Sequence, residues 1–148
     1  MKCECGKEAV IYREYEDRAL CEEHFSLSIE KKVKRTIRKN DLIEKNDKVI
    51  IGVSGGKDST SMLHLLHKIF SQRPDIQLHA LTINEGIREY RAKSVESAKE
   101  LCKKLNVPIE VVNFEEEYGF RMDEIGEKVK QKPCTYCGVF RRDILNKK

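Results

Sequence analysis

Apolar residues along the second two-thirds of the chain recur with two different periods. Three short runs rich in β-branched and aliphatic residues predict buried strands: 49–53, 76–84 and 109–114. Three stretches with apolar residues at helical spacing predict helices between and after these strands: 62–70, 88–105 and 122–130. This β-α-β-α-β order predicts an α/β fold, in which a parallel sheet with right-handed crossovers carries helices on both faces.

The first 47 residues follow another pattern. Residues 9–15 alternate loosely and, with Ala19 and Leu20, predict a short hairpin. Residues 26–39 predict a helix, since their aliphatic positions form one stripe. Asn-Asp pairs then punctuate the linker into the first buried strand. The expected division is a finger (1–25), a helix with its linker (26–47) and an α/β domain (48–148).

Composition narrows the class of protein. The chain has 148 residues, of which 36% are charged and 39% are apolar. No run approaches 18 apolar residues, and the first residues are charged, so we expect neither a membrane span nor a signal peptide. Six cysteines in such a chain are expected to serve metal binding or catalysis in a reducing compartment, which predicts a cytoplasmic location.

The positive charge is concentrated in the predicted N-terminal helix. Residues 26–39 contain six basic residues and one acid, a net charge of +5, whereas the whole chain carries +4. Two interpretations stay open: a solvated face of a packed helix, or a surface that contacts nucleic-acid phosphates.

A glycine loop, residues 54–59 (SGGKDS), follows the first buried strand and precedes a helix. Such a turn can present backbone N–H groups and the positive end of the helix dipole to an anion, which predicts a nucleotide or phosphate site. Asp58, Ser59, Thr60 and Ser61 are expected to cap the helix with their side chains. The glycine spacing fits neither a Walker A loop nor the dinucleotide-binding fingerprint.

Cysteine and histidine spacing points to metal chemistry at two places. Cys3 and Cys5, followed by Cys21 and His24, form two pairs that can complete a tetrahedral structural zinc site; the alternative is surface thiols beside a histidine at a helix start. Cys134 and Cys137 form a C-x-x-C pair that can be redox-active, half of a zinc site, or two ligands of an iron–sulfur cluster. Cys102 lies on an apolar helix face and is expected in the core.

Together these stretches resemble a known family. The glycine loop resembles the pyrophosphate loop (PP-loop) of N-type ATP pyrophosphatases. The finger, the Arg35-Thr36-Ile37-Arg38 segment and the string PCTYCGVFRR extend the resemblance to tRNA 2-thiolation enzymes of the TtcA/TtuA family. That resemblance implies an adenine nucleotide α-hydrolase-like, Rossmann-like fold. It also implies ATP-dependent adenylation of a base oxygen in tRNA, followed by sulfur transfer.

The resemblance implies roles for the matching residues. Asp58 would position Mg²⁺ and pyrophosphate, Arg141 would stabilise the adenylation transition state, and the backbone of Ile83 would contact adenine or ribose. The implied ATP-binding set is Val53, Ser54, Gly55, Gly56, Lys57, Asp58, Ser59, Ile83 and Arg141, with Asp58 and Arg141 catalytic. Cys134 and Cys137 would be two of three ligands of a 4Fe–4S cluster, and Cys3, Cys5, Cys21 and His24 would bind zinc.

The chain departs from the family pattern in three respects. Its first cysteine pair is C-x-C rather than C-x-x-C, and a third cluster cysteine and a later acidic motif do not occur in these residues. We therefore expect the N-terminal half of such an enzyme, incomplete at its C-terminus, with tRNA and a sulfur-carrier protein as partners. A homodimer or a complementing C-terminal chain is also expected. The alternative function is a non-catalytic ATP- and metal-binding subunit that needs a partner chain.

Overall fold

The computed structural model describes residues 1–87, 90–128 and 133–148. It comprises two compact units, Met1–Glu44 and Lys45–Lys148. No helix in the described part of the chain has both the length and the apolar character needed to cross a bilayer.

The first unit is a hairpin followed by a long helix. Strand β1 (Ile11–Arg13) and strand β2 (Arg18–Leu20) flank a 3-10 turn and pair antiparallel, with Ile11 opposite Leu20. Helix α1 spans Glu22–Lys39, so it begins four residues before the predicted start. Two glutamates occupy its first turn, where negative charge is stabilised by the helix dipole.

Arg13 ties the hairpin to α1. Its side chain is buried, pairs with Glu16 at 3.1 Å and donates a hydrogen bond of 2.7 Å to the Ser28 hydroxyl. Its guanidinium carbon lies 5.3 Å from the ring centroid of Phe25, within cation–π range. A buried cation with three partners therefore joins the hairpin to the helix.

The second unit contains the predicted parallel sheet. Its elements are β3 (Lys48–Gly52), α2 (Lys57–Phe70), β4 (Gln77–Asn84), α3 (Tyr90–Leu105), β5 (Ile109–Asn113), α4 (Phe114–Tyr118), α5 (Met122–Lys128) and α6 (Pro133–Lys147). In the described residues the sheet has the order β3-β4-β5, with both pairs parallel. The α/β fold class is confirmed.

Helices cover both faces of this sheet, as predicted. Helices α2 and α3 contact each other and β4, because sequential right-handed crossovers place consecutive helices on the same face. On the other face, Leu81 and Ile83 pack against a buried cluster from the C-terminal elements. That cluster comprises Val112, Phe114, Met122, Cys137 and Ile144. Cys102 is fully buried, which confirms its predicted place in the core.

Some predicted boundaries differ from the structure. Strand β5 ends at Asn113, and Phe114 begins α4, which includes the acidic run that follows. Phe114 is fully buried and makes edge contacts with three aromatic rings, so its packing, and not strand pairing, fixes its place. The predicted starts and ends at residues 88–89 and 129–130 lie outside the described residues.

Candidate nucleotide site and metal centre

The glycine loop joins the carboxyl end of β3 to the start of α2. The Val53 amide donates to the Leu81 carbonyl at 2.8 Å, which extends the contact with β4 one residue beyond β3. Gly56 is the residue that caps α2, and no side chain caps this helix, so the predicted side-chain capping is wrong. The Ser59 and Thr60 hydroxyls instead donate to the Gly56 carbonyl, at 3.1 and 3.0 Å.

Main-chain N–H groups at the start of α2 are available to an anion. Thr60 makes the bond to the Gly56 carbonyl at 3.1 Å that opens the helical pattern. The amides of Lys57, Asp58 and Ser59 therefore have no acceptor within the helix. They stand at its N-terminus, where the helix dipole favours negative charge. This is the geometry that the sequence predicted for phosphate binding.

The loop is closed by its own serines. The Ser54 amide donates to the Ser59 hydroxyl at 3.1 Å, and the two hydroxyl oxygens lie 3.0 Å apart. Gly55 adopts a φ of +82° and lies against the main chain of α3 at Ser94. The loop conformation is thus set partly by α3.

Arg91, in the first turn of α3, was not recognised as a site residue from the sequence. It is buried, its Nε and Nη2 donate to the Ile83 carbonyl at 3.0 and 2.6 Å, and its Nη1 donates to the Ser54 carbonyl at 3.2 Å. One guanidinium therefore joins the glycine loop to the end of β4. A basic residue in an early helical turn carries no distinctive sequence signal.

Glu85 is a second residue that the sequence left unassigned. It follows β4 directly, is 3% exposed and forms an ion pair with Arg91. Its other carboxylate oxygen, Oε1, lies 3.7 Å from Arg141 Nε and 4.0 Å from Cys137 Sγ, which donates to it. A lone acid at the carboxyl end of a buried strand was the available signal.

The remaining predicted residues of this site are placed as follows. Asp58 and Lys57 are exposed at the start of α2, and Arg141 is about half-exposed on α6. Ile83 is buried, and its carbonyl is already bound by Arg91, so a backbone contact with adenine or ribose stays a prediction. Cys137 is buried, and the side chain of Cys134 lies outside the described part of the structure.

The finger brings its four predicted ligands together. The candidate ligand atoms of Cys3, Cys5, Cys21 and His24 all lie within 4.8 Å of one another. The Cys5 and Cys21 sulfurs are 3.7 Å apart, and His24 Nδ1 lies 3.6 Å from Cys21 Sγ and 3.1 Å from Cys3 Sγ. Zn–S bonds of about 2.3 Å in a tetrahedron separate sulfurs by roughly 3.8 Å, so the donor set fits a zinc-sized ion.

Main-chain hydrogen bonds favour the thiolate form of one of these cysteines. Hydrogen bonds from the backbone N–H groups of Cys5 and Cys21 lower the pKa of Cys3 to about 6. The pKa of Cys5 is raised: a backbone hydrogen bond from Lys7 lowers it, but burial and the neighbouring thiols outweigh that bond. A thiolate is the form that binds metal, so Cys3 is a suitable ligand despite its C-x-C spacing.

Five basic residues of α1 share one face. They line a concavity of about 370 Å³ and recur at helical spacing: Lys31, Lys34, Arg35, Arg38 and Lys39. Lys34 pairs with Glu30 at 2.6 Å, and Lys32, off this face, bonds Tyr15 and Glu16. Within the described residues, no carboxylate lies within ion-pair distance of the other four cations of this face.

Two family profiles together match residues 2–132 of the chain. The profile of the PP-loop domain matches residues 25–132. The chain belongs to the PP-loop family. A second profile, that of the N-terminal LIM domain of the 2-thiouridine synthetase TtuA, matches residues 2–26, which contain the four candidate metal ligands. The family resemblance drawn from the sequence is confirmed.

Two similar proteins have names that bear on function. The tRNA 2-thiolation protein NcsA of Haloferax volcanii is 43% identical over 99% of this chain and 49% of its own length. The tRNA-5-methyluridine(54) 2-sulfurtransferase of Pyrococcus horikoshii is 40% identical over 99% of this chain and 46% of its own length.

A solved structure is also similar, the U34-tRNA thiolase NcsA from Methanococcus maripaludis with its 4Fe-4S cluster. It is 37% identical with a TM-score of 0.87, and the match covers 99% of this chain and 48% of that one. The PP-loop chain described here thus spans about half the length of the relatives that it matches.

Proposed function

We propose that this chain carries the ATP site and the metal finger of a tRNA 2-thiolation enzyme. The observation that carries the proposal is the set of three main-chain amides, those of Lys57, Asp58 and Ser59, at the N-terminus of α2 behind a glycine loop. Membership of the PP-loop family and similarity to proteins named as tRNA thiolases support the choice of substrate.

The proposed reaction has two transfers. An oxygen of a tRNA base attacks the α-phosphorus of ATP, and the bond to the β-phosphate breaks, which releases pyrophosphate. A sulfur nucleophile at the oxidation level of sulfide then displaces AMP, so the base carbonyl becomes a thiocarbonyl without net oxidation. The amides at the start of α2 hold the phosphates, and Arg141 opposes the charge that develops during adenylation.

Asp58 is proposed to hold Mg²⁺. Its exposed carboxylate lies in the first turn of α2, beside the amides that would hold the phosphates. A carboxylate and a polyphosphate repel each other unless a cation lies between them, and Mg²⁺ is bound in this way by one or two carboxylates and substrate phosphates. We therefore expect ATP affinity to depend on Mg²⁺ through Asp58.

Two further metal groups belong to the proposal. Cys3, Cys5, Cys21 and His24 would hold a structural zinc ion, which would fold a finger too small for its own core. Cys134 and Cys137, one turn apart on α6, would contribute two ligands to a 4Fe–4S cluster, which would supply a site that carries the sulfur. Cys137 Sγ and Arg141 Nε both approach the same oxygen, Glu85 Oε1, at 4.0 and 3.7 Å.

The basic face of α1 is proposed to bind tRNA phosphates. Its cations share one side of the helix and line one concavity, as expected for a surface that follows a phosphate backbone. The names of the relatives specify different target nucleotides, U34 in one and position 54 in another.

Association with another chain or segment is proposed at β3. In the described residues β3 is an edge strand, and Ile50 on it is 41% exposed. An open edge next to an exposed aliphatic residue favours pairing with a further strand, either from a complementing chain or from a second copy. Sedimentation of the chain alone tests association with a second copy. Sedimentation with the second half of a relative tests pairing with a complementing chain.

The test of function separates binding from chemistry. The purified chain is titrated with ATP and Mg²⁺ by calorimetry, and Asp58→Asn is expected to weaken binding. AMP and pyrophosphate are then measured with tRNA and sulfide, with and without the second half of a relative. Absence of ATP binding would overturn the proposal. Binding without AMP in either mixture would favour the non-catalytic ATP- and metal-binding subunit.

A further inference from the structure

We infer that Arg91 is a positioning residue that sets the shape of the nucleotide site, with Glu85 as the group that holds it. The inference rests on the proposed ATP site. Arg91 is 8% exposed and directs all its assigned hydrogen bonds to main-chain carbonyls and its ion pair to Glu85. It therefore acts through the backbone that surrounds the nucleotide.

The position of the two carbonyls explains why a side chain is needed. Gly52 pairs with Leu81 in the last register of β3 and β4, and the Val53 amide still reaches the Leu81 carbonyl. Beyond this point the chain leaves β3 as the glycine loop, and the pairing of β3 with β4 no longer supplies hydrogen-bond partners for the main-chain carbonyls. The Ser54 carbonyl in the glycine loop and the Ile83 carbonyl on β4 both accept hydrogen bonds from the same guanidinium.

Arginine suits this role in a way that lysine does not. The planar guanidinium presents donors in fixed directions, so Nε and Nη2 reach one carbonyl while Nη1 reaches the other. A lysine ammonium is a point donor on a flexible stem and can keep the ion pair with Glu85 but not the bridge between the glycine loop and β4. The Arg-to-Lys change thus separates charge from bridging.

A second contact from the same helical turn supports the inference. Ser94 lies three residues after Arg91, and its carbonyl is the surface against which Gly55 packs. The glycine loop therefore contacts α3 at two residues, at Arg91 through its side chain and at Ser94 through its main chain. The N-terminal part of α3 thus supports the loop.

Glu85 extends this support to α6. One of its oxygens pairs with Arg91, and the other faces Arg141 and the Cys137 thiol. A buried carboxylate whose cationic partner is removed is costly, so Glu85 and Arg91 hold each other in place. The same residue thus fixes the loop and orients the arginine proposed to act on the phosphates.

The test compares two Arg-to-Lys variants of the full chain. Arg91→Lys removes the bridge, and Arg73→Lys is the matched control, since Arg73 also pairs with a carboxylate, Asp75, in the same unit. The first readout is hydrogen exchange of the Ser54 and Val53 amides by NMR, which needs no nucleotide. The second is the Kd for ATP with Mg²⁺, and melting temperatures report the fold.

The expected result is specific to Arg91. Exchange of the Ser54 amide should accelerate about tenfold and ATP affinity should fall about tenfold in Arg91→Lys, as for one lost charge-assisted hydrogen bond. Arg73→Lys should change neither. Unchanged exchange at Ser54 in a folded Arg91→Lys chain would overturn the inference, whatever the nucleotide result.

Two further outcomes are distinguished. If the wild-type chain binds no ATP, the proposed function is contradicted. If the Ser54 amide nevertheless exchanges faster in Arg91→Lys than in the wild type, the positioning role is retained. If Arg91→Lys does not fold, Glu85→Gln takes its place, because it keeps the guanidinium but removes the ion pair. Glu85→Gln should also accelerate Ser54 exchange, and wild-type exchange in a folded Glu85→Gln chain would then overturn the inference.

Discussion

A Cβ built on Gly55 would lie 2.2 Å from the Ser94 carbonyl oxygen, so the glycine loop touches helix α3 through its bare main chain. Real Cβ atoms do not approach a carbonyl oxygen this closely, and the neighbour is backbone that cannot turn aside. Gly55 also has a φ of +82°, which favours glycine. The backbone angle and the contact with α3 therefore both require glycine at position 55.

Substitution of Gly55 tests whether the contact or the backbone angle matters more. Gly55→Ala is expected to displace the loop from α3, abolish measurable ATP binding and lower the free energy of unfolding by roughly 3 kcal/mol. Gly119→Ala is the matched control, since Gly119 has a φ of +75° but open space around it. The control should lose only about 1 kcal/mol, the cost of a left-handed alanine. Equal losses by chemical denaturation in both variants would contradict the role of Ser94.

The finger makes a separate prediction about metal content. Cys21→Ala should lose its bound zinc, because Cys21 is one of four clustered donors, and the Cys5 and His24 donor atoms lie 3.7 and 3.6 Å from its sulfur. Cys102→Ala should keep one zinc per chain, because Cys102 is a buried thiol in the other unit. Mass spectrometry of metals after gel filtration measures both. Stoichiometric zinc in Cys21→Ala would exclude the four-ligand site.

Sequence patterns predicted those features of the site that depend on neighbouring residues. The loop at 54–59, the hairpin of the finger and the paired ligands each lie in short segments, where glycine turns and chelating pairs leave a local signal. The helical spacing of apolar residues likewise placed α2 and α3. Family resemblance then supplied roles that spacing alone left open at Cys134 and Cys137.

The support of the site could not be predicted in this way. Arg91 and Glu85 act across elements: one guanidinium joins Ser54 to Ile83, and one carboxylate faces both Arg91 and Arg141. Nothing in a linear pattern shows that a loop carbonyl and a strand carbonyl will share one donor. The capping prediction was wrong for a related reason, since the hydroxyls expected to cap α2 bond the Gly56 carbonyl instead.

Tyr118 predicts how stability responds to alkaline pH. Burial, followed by its hydrogen bond of 2.5 Å to Asp143, raises the pKa of Tyr118 to about 12. Between about pH 10, the value for an unfolded tyrosine, and pH 12 the folded chain keeps a proton that the unfolded chain releases. This contribution to stability is therefore complete below pH 10 and lost as pH rises to 12.

The comparison of wild type with Tyr118→Phe isolates this effect. Denaturation at several pH values should show a steeper alkaline loss of stability in the wild type than in the variant. Absorbance at 295 nm should show the missing tyrosine in the last part of the titration. A variant whose stability falls in parallel with the wild type would show that Tyr118 does not retain its proton on folding.

The basic face of α1 predicts the salt dependence of tRNA binding. Lys31→Gln with Arg35→Gln removes two of its cations, and Lys103→Gln with Lys104→Gln removes the same charge from the last turn of α3. If the face binds phosphates, the first pair should make the plot of log Kd against log salt shallower by roughly 1.5, since each phosphate contact contributes about 0.7–0.9. The second pair should leave that slope unchanged. Fluorescence anisotropy of labelled tRNA at several salt concentrations measures both, and equal slopes in all three proteins would assign the charges to a solvated helix face.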